Sequence, residues 1–206
     1  MSEQLDNKDG SSTFDNILNS AKAEFLKKGF KDASLRNIAK QAGVTTGAIY
    51  GYFKDKDDIF VTLVKDVLDG FFYLIEEVEE EERNMVKEGV GFPKQIFTAK
   101  NSHLRYLKYM YDNYDVCKMV ITSSSGSSME NYIDKFIEKS LKELKDFIDS
   151  VKKVSDIDEF TLHIIIEFYI KSITEFIKHD VPYETAVKQF ENINTFFFSG
   201  WKELMK

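Results

Sequence analysis

Ala39 and Gly43 stand four residues apart inside SLRNIAKQAGVTTGAIYGYF, residues 34–53. That spacing leaves little choice of local geometry. Leu35, Ile38, Ala39 and Ala42 form the apolar side of a short helix that Ser34 is placed to N-cap. Thr45 is placed to cap a second short helix carrying Ala48, Ile49, Tyr52 and Phe53. Two short helices so close in sequence must cross tightly, and Ala39 supplies the small residue at the crossing. The turn between them needs a residue that tolerates positive φ, and Gly43 supplies it. Ile38, Val44 and Ile49 fall where they would lock the pair together, which makes the segment a helix-turn-helix.

The rest of the chain is also helical in pattern. From Phe14, the residues Ile17, Leu18, Ala21, Phe25 and Leu26 recur at helical spacing, and Gly29 closes the stripe at a C′ position. Asp55 followed by Asp58 resembles a capping box for a helix running from Ile59 through Phe60, Leu63, Val67, Phe71 and Ile75. That helix ends in EEVEEEER, where acids oppose the helix dipole, so fraying is expected near 79–88. KEGVGFP (87–93) reads as a loop, and the helical pattern resumes over 94–113. ITSSSGSSME (121–130) is a second break, with Ser128 placed to cap the long amphipathic helix that follows. Residues 158–179 and 182–205 give two more helices. With two Pro, ten Gly and no strand pattern, the expected fold is all-α with about nine helices. The expected organisation is an unordered tail (1–13), a three-helix head (14–56) and a larger body (57–206).

Charge divides the chain in the same way. The net charge is −7, yet residues 14–56 hold eight basic against four acidic residues. The remainder after residue 56 holds nineteen basic against 28 acidic. A basic head on an acidic body suits a polyanionic partner at the head. Cys117 is the only cysteine, so no intrachain disulfide is possible. No apolar run reaches the roughly 20 residues of a membrane span; TLHIIIEFYI is short and interrupted by Glu167. The start, MSEQLDNKDGSSTFD, lacks a signal-peptide pattern, and a cytoplasmic protein without membrane contact is expected. No phosphate-binding Gly loop, Cys–His, Ser–His or E-x-x-H constellation is present, so no enzyme is expected. His103, His163 and His179 lack metal-ligand spacing, and neither metal nor cofactor is expected.

The stretch ILNSAKAEFLKKGFKDASLRNIAKQAGVTTGAIYGYFKDKDDIF, residues 17–60, resembles the DNA-binding domain of TetR-type (tetracycline-repressor-like) regulators. Phe25 to Phe30, the core from Ser34 to Val44 and the exit from Tyr50 to Lys56 carry the resemblance in order. It implies that Thr45, Thr46, Gly47, Tyr50 and Tyr52 face DNA. Thr45 would serve as cap and phosphate donor, Thr46 would reach a base, and Gly47 would admit the backbone. The two tyrosines would reach phosphates or pack in the core. Lys54 and Lys56 would grip the DNA backbone, and Ser34 and Arg36 would lie near it at the start of the second helix. Family members often carry Lys where Thr46 stands and His where Gly51 stands. Lacking both, this chain is expected to rely on phosphate contacts and DNA shape.

The same resemblance implies a homodimer on a double-stranded DNA operator. NTFFFSGW places Phe196, Phe197, Phe198 and Trp201 around one helix, which suits a dimer interface or a large internal core. A small-molecule effector, apolar or aromatic, would contact Tyr106, Tyr109, Met110, Tyr114, Met119, Phe168 and Tyr169, unless these are core residues. The implied function is a ligand-responsive repressor. A constitutive DNA-binding protein or adaptor without an effector is the alternative.

Overall fold

The computed structural model describes residues 6–87, 100–150 and 157–204. Among them it is all-helical, with nine helices and no strand: α1 (Asp6–Asp32), α2 (Leu35–Ala42), α3 (Thr46–Ile49), α4 (Lys56–Lys87), α5 (Lys100–Asp112), α6 (Tyr114–Thr122), α7 (Tyr132–Ser150), α8 (Glu159–Lys178) and α9 (Tyr183–Leu204). Apart from Lys87, the expected loop over 87–93 lies outside the described residues, as does the expected helix start at 94. Two compact units share the chain. One takes Met1–Leu68 with Asp115–Glu130, the other Asp69–Tyr114 with Asn131–Lys206. Helices α4 and α6 therefore each belong partly to both.

In the first unit, α1 begins at Asp6, so residues 6–13 of the expected tail are helical. Once the apolar stripe from Phe14 has nucleated a helix, extension fixes one residue per added hydrogen bond. Gly29 interrupts α1 with φ 73° and ψ 161°, at the position where the stripe ends. Beyond the break, the Phe30 N–H donates to the Ser123 carbonyl at 2.8 Å. Phe25 and Phe60 are fully buried. Their rings lie 5.2 Å apart, with Phe30 at 5.7 Å from Phe25 and 5.5 Å from Phe60. This aromatic triad joins α1 to the start of α4.

The Ser-rich break over 121–130 has a packing role that periodicity does not show. The Ser128 N–H donates to the Asp57 carboxylate at 2.8 Å instead of capping a helix, and α7 starts only at Tyr132. Lys22 pairs with Asp115 at 3.4 Å. Gly126 has φ 87°, and a Cβ there would lie 3.6 Å from Lys31 Cβ. Residues 115–130 are thus part of the unit that holds the helix-turn-helix.

The second unit is built from α5, α7, α8, α9 and most of α4. Leu107, Ile137, Leu162, Ile173, Ile177 and Phe190 are among its buried residues. The acidic run of α4 remains helical to Lys87 rather than fraying. Arg105 of α5 explains this: its guanidinium meets Glu77 at 2.9 Å and Glu81 at 3.0 Å. The α8–α9 turn holds Asp180 at φ 52°, a left-handed conformation unusual outside glycine. The Tyr114 hydroxyl donates to Asp180 Oδ1 at 2.6 Å, and the Tyr111 hydroxyl to the Val181 carbonyl at 2.6 Å. Two tyrosines therefore fix this turn from the α5–α6 junction. No helix among the described residues is long and apolar enough to cross a membrane.

Candidate nucleic-acid interface

Helix α2 ends in a left-handed Gly43 with φ 70° and ψ 25°. The Val44 N–H returns to the Ala39 carbonyl at 2.9 Å and the Gly43 N–H to the Lys40 carbonyl at 3.4 Å. That pair of bonds is a Schellman ending, and it redirects the chain at the residue where Gly was required. Thr45 then caps α3, its Oγ1 accepting the Ala48 N–H at 3.1 Å. The α3 helix is a single turn, shorter than the expected segment to Phe53. Turn hydrogen bonds from Tyr52 and Phe53 to the Ile49 carbonyl, at 3.0 and 2.9 Å, carry the chain onward. Gly51 follows closely here, since a Cβ on it would come within 3.2 Å of the Ala48 carbonyl oxygen.

Ile49 and Phe53 seal one side of this segment. Both are buried, and Phe53 stacks on Phe14 at 5.2 Å. The other side is open. Thr45 and Gly47 are exposed, Thr46 is half-buried, Tyr50 is 57% exposed and Tyr52 42%. Tyr50 is thus not a core residue, while Tyr52 leans one edge on Phe14 at 6.1 Å. Arg36 and Lys54 are exposed as well. The hydroxyls and the ammonium on this side are free to donate to an incoming acceptor. Ser34 occupies the N-cap position of α2 but makes no side-chain cap bond. Its N–H instead faces Glu24 Oε1 at 3.4 Å.

Glu24 is a residue that helical periodicity does not single out. It is 3% exposed, and besides the Ser34 N–H it accepts from Asn37 Nδ2 at 3.1 Å and Gln41 Nε2 at 3.4 Å. One carboxylate of α1 therefore holds the start and both middle turns of α2. Its signal in the sequence is weak: an acid standing next to Phe25 on the apolar side of α1.

Lys56 departs from the role its sequence position implied. Its Nζ donates to the carbonyls of Phe30 at 2.6 Å, Ala33 at 3.0 Å and Lys31 at 3.3 Å. It also lies 4.5 Å from the centroid of the Phe30 ring. Three donors meet three carbonyls, so the ammonium closes the C-terminal end of α1 and is not available to a phosphate. Burial lowers its pKa below the usual lysine value, with the Asp32 charge opposing. Lys54 alone of the two lysines presents its charge outward.

The residues expected to line an effector pocket do not converge on one point. Tyr106 and Tyr109 gather around Phe71 of α4, at 5.8 and 5.7 Å. Tyr109 packs so closely against Gly70 that a Cβ there would collide with its hydroxyl. Met110 is buried. Tyr114 commits its hydroxyl to Asp180, as above. Met119 is buried in the first unit, away from the others in the division of the chain. Phe168 is 49% exposed, whereas the adjacent Tyr169 is buried.

The expected interface residues also divide. Phe197, Phe198 and Trp201 are buried within their own unit, and only Phe196, at 72%, is exposed. Phe196 alone of the four lies on an uncovered side of α9, so the internal-core reading holds for the other three. Phe196 lines an open groove of about 720 Å³ together with Ile164, Phe168, Phe197, Trp201 and Leu204.

Residues 17–63 match the model of the bacterial regulatory proteins, tetR family. The fatty acid metabolism regulator protein of Bacillus subtilis (strain 168) is 39% identical over 91 residues, covering 44% of this chain and 43% of that protein. The HTH-type transcriptional regulator AcrR of Shigella flexneri is 52% identical over 48 residues, 23% of this chain and 22% of that protein. This chain thus spans less than half the length of these relatives in the matched stretches. Among solved structures, the transcriptional regulator FadR from Bacillus subtilis, in complex with stearoyl-CoA, superimposes with a TM-score of 0.58 at 22% identity. That likeness, which is one of fold, covers 91% of this chain and 98% of the other. The Schellman turn at Gly43 and the cap at Thr45 both fall within the segment, residues 17–63, that is similar to the tetR family of bacterial regulatory proteins.

Proposed function

We propose that this chain is a ligand-responsive transcriptional repressor that binds an operator as a homodimer and is released from it by a small molecule. The observation that carries the reading is the two-sided α3 segment, with Ile49 and Phe53 buried behind an exposed row of Thr45, Gly47, Tyr50, Tyr52 and Lys54. In a major groove the hydroxyls and Lys54 would donate to phosphates, and Thr46 would be the nearest reader of a base edge. Arg36, with Ser34 beside it, would follow the flanking backbone. With so few base readers, DNA shape would supply much of the specificity. Residues 14–56 would be the DNA-binding domain and 57–206 the effector and dimer domain.

Helices α8 and α9 would pair with those of a second copy. Phe160, Ile164 and Phe168 recur every four residues on α8, and Phe196 and Leu204 flank Gly200 on α9. All five large side chains are exposed in the single chain, as suits an interaction surface. The effector would lie in the second unit, where Phe71, Tyr106, Tyr109 and Phe136 form a half-buried aromatic cluster. An apolar effector suits that cluster. The stearoyl-CoA bound by the structural neighbour favours a fatty-acyl compound. Release would require the effector to bind the DNA-free form more tightly than the DNA-bound form. Helices α4 and α6, which both continue into the head unit, would carry that preference.

The test is selection of genomic fragments by the full-length chain, followed by sequencing. A shared two-fold pattern, with half-sites about one DNA turn (~34–36 Å) or more apart, is expected. Palmitoyl-CoA should then release those fragments. Capture of fragments without a common pattern would overturn DNA-directed regulation.

A further inference from the structure

The described residues of the second unit enclose a polar cluster that helix capping does not account for. His103 of α5, Tyr169 of α8 and Asn194 of α9 meet inside it. The Tyr169 hydroxyl donates to Asn194 Oδ1 at 3.0 Å and lies 2.8 Å from His103 Nδ1. Asn194 is 0% exposed, and its Nδ2 has no hydrogen-bond partner. A buried amide N–H left in this state is costly, and native proteins keep few of them. The rings around the cluster are apolar: Phe197 lies 4.4 Å from Tyr169, and Phe198 lies 5.3 Å from His103. The cluster also ends a line of aromatic contacts. Phe136 meets Phe71 at 6.0 Å, Phe71 meets Tyr106 at 5.8 Å, and Tyr106 meets His103 at 5.8 Å.

We propose that His103, Tyr169 and Asn194 form the polar anchor of the effector site, where Asn194 Nδ2 donates to the uncharged carbonyl oxygen of a fatty-acyl ester, thioester or amide. This rests on the effector reading above and specifies its ligand. Asn194 Oδ1 is already committed to the Tyr169 hydroxyl, so what the amide still offers is N–H, and its complement is an acceptor. The hydrocarbon body of the ligand would lie along the line from His103 to Phe136. A carboxylate is the wrong partner. Burial pushes the His103 pKa down to about 4, so the imidazole is neutral near pH 7 and supplies no counter-charge.

The test titrates the full-length protein with methyl palmitate, palmitate and hexadecane, each delivered from the same cyclodextrin carrier, and reads Trp201 fluorescence. Methyl palmitate should bind about tenfold or more tighter than hexadecane, the equivalent of one well-made buried hydrogen bond. Palmitate should not exceed methyl palmitate at pH 8. In Asn194→Leu, checked for native far-UV circular dichroism, methyl palmitate and hexadecane should bind alike. If that variant does not fold, Asn194→Ala is measured for the same loss of preference. Equal binding of ester and alkane by the natural chain overturns the anchor, as does a preference that survives the substitution. Failure of all three probes to bind overturns it too. The effector reading is judged separately, by whether palmitoyl-CoA or any other compound releases the selected DNA.

Discussion

In the first unit Glu24 is 3% exposed yet faces three donors, and the Lys56 ammonium meets three carbonyls. In the second, Asn194 is buried as deeply, and its amide nitrogen meets nothing. The two units thus treat buried polarity in opposite ways. The head closes four of its helix ends: Gly43 and Lys56 close C-termini, while Thr45 and Asp55 close N-termini, the latter by accepting the Asp58 N–H at 2.9 Å. Such closure fixes α2 and α3 in one geometry, as a groove-reading element requires. The body fixes its α8–α9 turn with Tyr111 and Tyr114 but leaves an unsatisfied donor within its aromatic interior. A rigid reader joined to an incompletely satisfied interior is the arrangement a ligand can act upon.

The largest expected effect breaks the head. Phe25→Ala should destabilise the chain by about 3–5 kcal/mol, because it empties the centre of the Phe25–Phe30–Phe60 triad. Phe168→Ala, on the exposed side of α8, should cost under about 1 kcal/mol in the monomer. Urea unfolding of the two variants measures the contrast, and equal costs would break it.

The next effect tests the body through pH. The His103 pKa is about 4 in the folded chain, below the ordinary value of 6.5. The unfolded chain therefore takes up a proton first as pH falls. The neutral-histidine contribution is fully present above about pH 6.5 and is lost progressively toward pH 4. About 3 kcal/mol is at stake. His103→Gln should flatten that part of the pH profile of the urea midpoint relative to the natural chain. Superimposable profiles would mean that His103 is already solvated.

Smaller effects probe the closure of the head. Glu24→Ala should cost about 2–3 kcal/mol, since three donors lose a charged acceptor. Gly43→Ala should cost about 1–2 kcal/mol from backbone conformation alone, because nothing lies within 4 Å of a Cβ at that position. A melting temperature of Glu24→Ala at or above that of Gly43→Ala would show that the carboxylate does not hold α2.

Much of the head was legible because its demands are local. Gly43, Thr45 and the Asp55–Asp58 pair each act within four residues of their partners, and the structure finds them at those tasks. Glu24 reaches across to residues 34, 37 and 41, and Lys56 returns to 30, 31 and 33. Neither link leaves a period in the sequence, and a lysine beside a DNA-reading helix suggests phosphate on charge alone. The same limit hid residues 115–130. Their contacts to Phe30 and Asp57 join distant segments of chain, and a Ser-rich stretch resembles any other loop. In the body, helix spacing marked Phe196, Phe197, Phe198 and Trp201 as crowded around one helix. It could not say that three of them turn inward and one stays out.

The most direct measurement is the salt dependence of operator affinity for Lys54→Ala and Lys56→Ala, each compared with the natural chain on the selected DNA. If Lys54 faces phosphate in both copies of a dimer, its loss lowers the log–log slope by about 1.8. Lys56→Ala should leave the slope unchanged and lower only the melting temperature, since its ammonium is held by the carbonyls of Phe30, Lys31 and Ala33. A slope that falls for Lys56→Ala and not for Lys54→Ala would contradict the account of the exposed α3 face.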